Sequence, residues 1–147
     1  MEELFQSDFV VVTREVGIIR VRRTTMPMFP ALDSAGIEAL MTTFRIKIPL
    51  RERKGLGVLL DTRDAPLLLG DETMAPIRPL LNEVFTGFVR HAVLVKTAVG
   101  KLQATRRARE EASIGRVLVS VFDDEAAAIA FLRGEEPLAP PRSSRRS

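Results

Sequence analysis

The sequence predicts an α/β fold in which a β-hairpin is followed by repeated strand–helix units. The segment Val58–Leu60 is apolar without polar alternation, which is typical of a strand covered on both faces. Two further apolar strands, His91–Val95 and Val117–Phe122, each come directly before a stretch with helical features. The β-branched segments Phe9–Thr13 and Ile18–Arg23 flank a short glycine-containing turn, which indicates the hairpin.

Four helices complete the predicted order ββαβαβαβα, a mixed and mostly parallel sheet with flanking helices. Asp33 or Ser34 can cap the first helix, and Pro49 ends it. The segment Arg51–Gly57 is predicted to be a basic connector, and Asp123 is predicted to cap the last helix. The other three helices are expected over Ile77–Phe88, Thr97–Ser113 and Asp124–Leu132.

Length and composition favour one domain. A chain of 147 residues with 46% apolar residues buries about 70% of its unfolded surface. No apolar run approaches the roughly 20 residues that span a bilayer, and Met1–Leu4 lacks the basic start of a signal peptide. The absence of cysteine excludes disulfides and thiolate catalysis. We therefore expect a cytoplasmic protein.

The net charge of +3 comes from the C-terminal tail. Of the 22 basic residues, Arg142, Arg145 and Arg146 lie in the tail, so 19 basic and 19 acidic residues remain outside it. We predict one domain over residues 1–136 and a disordered Pro/Ser/Arg tail over residues 137–147. Because phenylalanine is the only aromatic residue and no recognition helix stands out, we expect no nucleic-acid binding.

Acidic residues follow the predicted strands and cap the predicted helices. Right-handed crossovers would bring these positions to one edge of the sheet, where the strands end. Basic residues lie mainly near helix ends and strand starts, so we predict a domain that is acidic at the carboxyl edge and basic at the opposite edge. His91 is the one histidine of the sequence, and there is no cysteine that could bind a metal with it. We therefore predict no metal site, and we also predict no cofactor and no catalytic residue. The acidic positions are Asp61, Asp64, Asp71, Asp123 and Asp124.

A resemblance to a known family rests on three stretches: Val16–Arg22, Val58–Pro66 and Val121–Leu132. These stretches, in this element order, resemble the STAS-like family of bacterial anti-sigma-factor antagonists, above all its plainer STAS-like/CRAL-TRIO-like bacterial branch. The resemblance covers about residues 8–134. It implies a non-catalytic, regulatory module that binds another protein and can form a homodimer.

In the STAS-like family, a phosphorylated serine at the start of the second helix controls partner binding. The corresponding stretch Leu69–Met74 has no serine, and Thr73 is its nearest hydroxyl. Asp71 and Glu72 would repel a phosphate on Thr73, so a phosphorylation-controlled switch is our third hypothesis. The family's functional region implies a partner-binding surface on the second helix and the loop before it. This surface comprises Asp61, Arg63, Asp64, Leu67, Leu68, Leu69 and Thr73.

The alternative function is that of a carrier for a small apolar ligand or lipid. Met26, Met28 and Phe29 lie in a proline-broken loop, where adaptable apolar side chains can line a pocket. The run Leu67–Leu69 is a second apolar loop segment. It either closes over the core or forms an exposed patch for a partner, and the sequence leaves both open.

Overall fold

The structure is a computed structural model that describes residues 1–28, 31–66, 75–113 and 119–135. Within these ranges there are six strands and five α-helices. The strands are β1 (Glu2–Gln6), β2 (Val10–Glu15), β3 (Ile18–Arg23), β4 (Gly57–Asp61), β5 (Arg90–Leu94) and β6 (Ser120–Phe122). The helices are α1 (Ser34–Lys47), α2 (Leu50–Arg53), α3 (Arg78–Phe85, entered through the 3-10 turn Ala75–Ile77), α4 (Ala98–Ser113) and α5 (Glu125–Leu132).

All six strands form one sheet, and their spatial order is their chain order. Strands β1, β2 and β3 are antiparallel, and the sheet is parallel from β3 to β6. The predicted α/β fold, with its N-terminal hairpin and mostly parallel sheet, is confirmed. Gly17 lies in the hairpin turn with a φ of 78°, a left-handed conformation that glycine adopts without a Cβ clash.

Two elements were not predicted. Strand β1 begins with two glutamates, and its sequence does not indicate a strand. It forms because the edge of β2 supplies hydrogen-bond partners for its backbone. Helix α2 replaces the predicted basic connector, and its Arg53 is buried. Both elements depend on tertiary contacts, because each is too short to be stable on its own.

Helices cover both faces of the sheet. Helices α1 and α3 pack on the face that carries Val58 and Leu60, whereas α5 packs on the face that carries Leu59. Strand β4 therefore contributes side chains to two separate clusters, which is the reason that its sequence is continuously apolar.

The N-cap of α1 is one of the two residues predicted for it, whereas the N-cap of α5 is not the predicted residue. Oδ1 of Asp33 accepts a hydrogen bond from the Gly36 backbone N–H at 2.9 Å, so Asp33 caps α1. The cap of α5 is Asp124, whose Oδ2 accepts from Ala127 N–H at 3.2 Å, and the prediction of Asp123 is wrong. The carboxylate of Asp123 instead lies 3.9 Å from Nζ of Lys101.

Two other predicted boundaries differ from the structure. The second predicted helix extended to Phe88, but α3 ends at Phe85 because Gly87 has a φ of 87°. Strand β6 is shorter than predicted, and residues 114–118 before it lie outside the described ranges. The predicted tail, residues 137–147, also lies outside them. No helix in the described ranges has the length and apolar character needed to cross a membrane.

Candidate functional site

A cavity of about 520 Å³ lies between the sheet and helices α1, α3 and α4. Its volume falls within the range of about 300–1,000 Å³ that is typical of small-molecule sites. Protein interiors otherwise contain few voids larger than a water molecule. The cavity is therefore a prominent feature of the described part of the chain.

One row of aliphatic side chains forms the floor of the cavity. The strand register places these residues side by side across five adjacent strands, from β2 to β6. Because alternate residues of a strand point to opposite faces, this register brings all five side chains to the face under the cavity. The row consists of Val12, Val21, Leu60, Val93 and Val121.

The walls of the cavity come from the helices and from one loop. Leu40 and Phe44 of α1, Leu80 of α3 and Ala104 of α4 line it, and Met28 closes one side from the loop after β3. Of the three loop residues predicted for a ligand pocket, Met28 lines the cavity and is buried. Met26 is exposed and Phe29 lies outside the described residues.

Basic side chains surround the apolar lining. None of the described residues that line the cavity is acidic. Several of the basic residues lie where β3, β4 and β5 end, and Asp61 and Asp123 lie at the ends of β4 and β6, so the carboxyl edge carries both signs of charge. The basic lining residues are Arg23, Arg63, Arg78, Lys96 and Arg107.

Arg23, the last residue of β3, is a buried cation at the cavity. Its side chain is 6% exposed, and within the described residues its Nε and Nη2 have no hydrogen-bond partner. Burial lowers the pKa of this guanidinium, which nevertheless remains charged in proteins. A buried charge without a partner is costly, so this position favours an anion.

The sequence contains a signal for Arg23 that the prediction did not use. Ile19 and Val21 alternate with Arg20 and Arg22, which suggested one apolar and one polar face on β3. Arg23 follows Arg22 directly, so its side chain must point to the apolar face with Val21. A cation at an apolar strand position indicates either a partner or a functional site.

Asp61 and Arg63, which were predicted to bind a partner, bind each other. Asp61 is 2% exposed, and its Oδ1 and Oδ2 accept from Arg63 Nε and Nη2 at 3.0 and 2.8 Å. Burial alone would raise the pKa of Asp61, but the hydrogen bonds and charge of Arg63 hold this pKa below its usual value. The Asp61 hydrogen bond correspondingly raises the pKa of Arg63.

This pair is part of a network on the face of the sheet opposite the cavity. Arg63 Nη2 donates to Oε1 of Glu125 at 2.8 Å, and Arg20 Nη2 donates to Oε2 of Glu125 at 3.1 Å. The network joins the middle of β3 and the end of β4 to the start of α5. Asp64 is exposed, and its Oδ2 lies 3.7 Å from Nη1 of Arg22. The remaining predicted partner residues, Leu67, Leu68, Leu69 and Thr73, lie outside the described residues.

No family model, no curated protein and no solved structure matches this chain. The resemblance to the STAS-like family therefore stays a prediction from the sequence. The function has to be argued from the cavity and from the charges around it.

Proposed function

We propose that this domain binds a small, mainly apolar ligand in the cavity between the sheet and helices α1, α3 and α4, and serves as its carrier. The observation that carries this proposal is the void of about 520 Å³ with an aliphatic floor. Concave sites lined mainly by apolar side chains with a few polar groups are typical of small-ligand binding. An apolar ligand in this cavity would gain packing contacts with its aliphatic floor.

Ligand binding takes precedence over the protein-interaction role because the residues that line the cavity form one site. Asp61 is buried and Arg63 is bound to it, so neither offers a free charge to a partner. A regulatory STAS-like module, a homodimer, a phosphorylated Thr73 and a cytoplasmic location stay predictions. Each rests on the sequence alone.

The first experiment is native mass spectrometry of the untagged protein, purified from its own host. We expect additional mass on each chain that is released on denaturation, because an apolar ligand is held by packing and not by a covalent bond. Mass that survives denaturation and equals that of a phosphate would instead support the switch at Thr73.

The second experiment is a calorimetric titration of ligand-free protein with dodecanol, a neutral apolar probe. Calorimetry suits this chain because it has no tryptophan or tyrosine whose fluorescence could report binding. We expect saturable binding of one molecule per chain. If the purified chain is bare and dodecanol does not bind, the carrier proposal is wrong.

A further inference from the structure

We propose that the ligand is an amphipathic carboxylate, such as a fatty acid, whose anionic group binds the guanidinium of Arg23. This inference rests on the proposed function, because it names the chemical class of the molecule that the cavity holds. The apolar chain of the ligand would lie on the valine and leucine floor. Its carboxylate would lie where β3 ends.

The two arginines that are buried in the described residues differ in their partners. The structure contains another buried guanidinium, that of Arg53, which donates hydrogen bonds to three backbone carbonyls and to the carboxylate of Glu83. At Arg23, by contrast, Nε and Nη2 are both buried and lack partners within the described residues. Native proteins pair almost all their buried polar groups, so these two donors indicate a missing acceptor.

The two unpartnered atoms of Arg23 indicate the shape of the missing acceptor. Nε and Nη2 form one edge of the planar guanidinium, and this edge binds both oxygens of a carboxylate at once. Arginines elsewhere in this protein use the same edge in the same way, in the pairs Arg63–Asp61, Arg20–Glu15 and Arg45–Glu83. The geometry at Arg23 therefore fits an anion with two oxygens in one plane, and the carboxylate pairs within this protein show that fit.

The charged residues around Arg23 also favour an anionic ligand. Lys96 and Arg107 also line the cavity, and no described lining residue is acidic. Arg63 also lines the cavity, but its guanidinium is bound to Asp61 and Glu125. The local charge is thus positive, and Arg23 places two buried, unpartnered donors within it. A neutral ligand would fill the apolar volume but would leave this charge unpaired.

The test compares the binding of dodecanoate and dodecanol by calorimetry, below the micelle concentration of dodecanoate and the solubility limit of dodecanol. In the unaltered protein we expect dodecanoate to bind roughly ten- to hundredfold more tightly, because hydrogen bonds to charged groups contribute that much. Arg23→Met should abolish this preference while dodecanol still binds. Arg23→Lys should retain only part of it, since lysine keeps the charge but lacks the planar edge.

Arg22→Met is the matched control. It removes the same charge from the neighbouring position of β3, where the side chain points to the opposite face and is partly exposed. We expect Arg22→Met to keep the preference for dodecanoate. Equal affinity of the two probes for the unaltered protein would overturn the carboxylate inference and leave the carrier proposal intact. Failure of both probes to bind would overturn both.

The stability of the ligand-free variants provides a second readout. Arg23→Met should leave the unfolding midpoint unchanged or raise it, because it replaces an unpaired buried charge with an apolar side chain of similar length. A large loss of stability would mean that Arg23 is paired within the protein. That result would contradict the inference even if the variant no longer bound dodecanoate.

Discussion

The guanidinium of Arg53 lies in the protein interior with its Nη2 2.9 Å from Oε2 of Glu83. Its Nε donates to the Ile48 carbonyl at 2.8 Å, and its Nη1 donates to the carbonyls of Glu83 and Thr86 at 3.0 and 2.8 Å. Arg53 is 0% exposed, and this single side chain connects α1, α2 and the end of α3. It is a structural cation whose donors are satisfied inside the protein.

Replacing Arg53 with methionine should therefore be severely destabilising. The change leaves the buried Glu83 carboxylate without one of its two cations and removes the Arg53 hydrogen bonds to three backbone carbonyls. We expect the free energy of unfolding to fall by about 3–5 kcal/mol, as measured by urea denaturation. Arg51→Met, on the exposed side of the same short helix, should change it by less than about 0.5 kcal/mol. Equal effects would show that Arg53 has no special structural role.

Filling the cavity should block the ligand without damaging the fold. Ala104 lies on the cavity side of α4, and Ala104→Phe would occupy part of the void. We expect dodecanol affinity to fall by about tenfold or more while the unfolding midpoint holds or rises. Val99→Phe introduces the same ring on the same helix at a position that is 64% exposed, and it should leave the affinity unchanged. Unchanged binding in Ala104→Phe would place the ligand elsewhere.

The acid sensitivity of the fold should depend on Asp61. Because the folded-state pKa of Asp61 lies below its usual value, its contribution to stability is present above about pH 3.9 and is lost as the pH falls through the folded pKa. Asp61→Asn should remove this contribution at neutral pH and flatten the stability curve below about pH 4. Urea denaturation at a series of pH values between pH 7 and pH 3 measures this change in the free energy of unfolding. Asp64→Asn, at an exposed carboxylate, should keep the unaltered profile.

The stability of the fold should also depend on the protonation of His91, at a higher pH than for Asp61. The ring lies edge-on to Phe85 with 6.0 Å between the ring centroids, and burial lowers the pKa of His91 despite its hydrogen bond to the Phe85 backbone. The unfolded chain therefore binds this proton more readily, and stability should fall as the pH drops below about 6.5. One proton limits the slope to about 1.4 kcal/mol per pH unit.

His91→Phe should abolish this slope between pH 7 and pH 5 while keeping the contact with Phe85. Because His91 is the single histidine of the chain, no other side chain has its usual pKa in this window. Thermal unfolding at a series of pH values measures the effect. A slope that persists in the variant would refute the assignment to His91.

Local sequence patterns determined the fold class. The continuous apolar run of β4 indicated a strand buried on both faces, Asp33 marked the start of α1, and Gly17 marked the hairpin turn. Each of these signals lies within a few residues, because strand burial, helix capping and turn conformation are set by neighbouring side chains. The element order and the mostly parallel sheet follow from them.

The cavity and the roles of the two buried arginines were decided only by the tertiary structure. The alternation of β3 places Arg23 on the apolar face, but no local pattern shows which groups lie near the guanidinium of Arg23 or of Arg53. Folding brings Glu83, 30 residues away, to Arg53, whereas it turns Arg23 toward an apolar void. The physical reason is that a buried charge depends on groups distant in the chain, and a void depends on how whole elements pack, so neither is encoded in a local pattern.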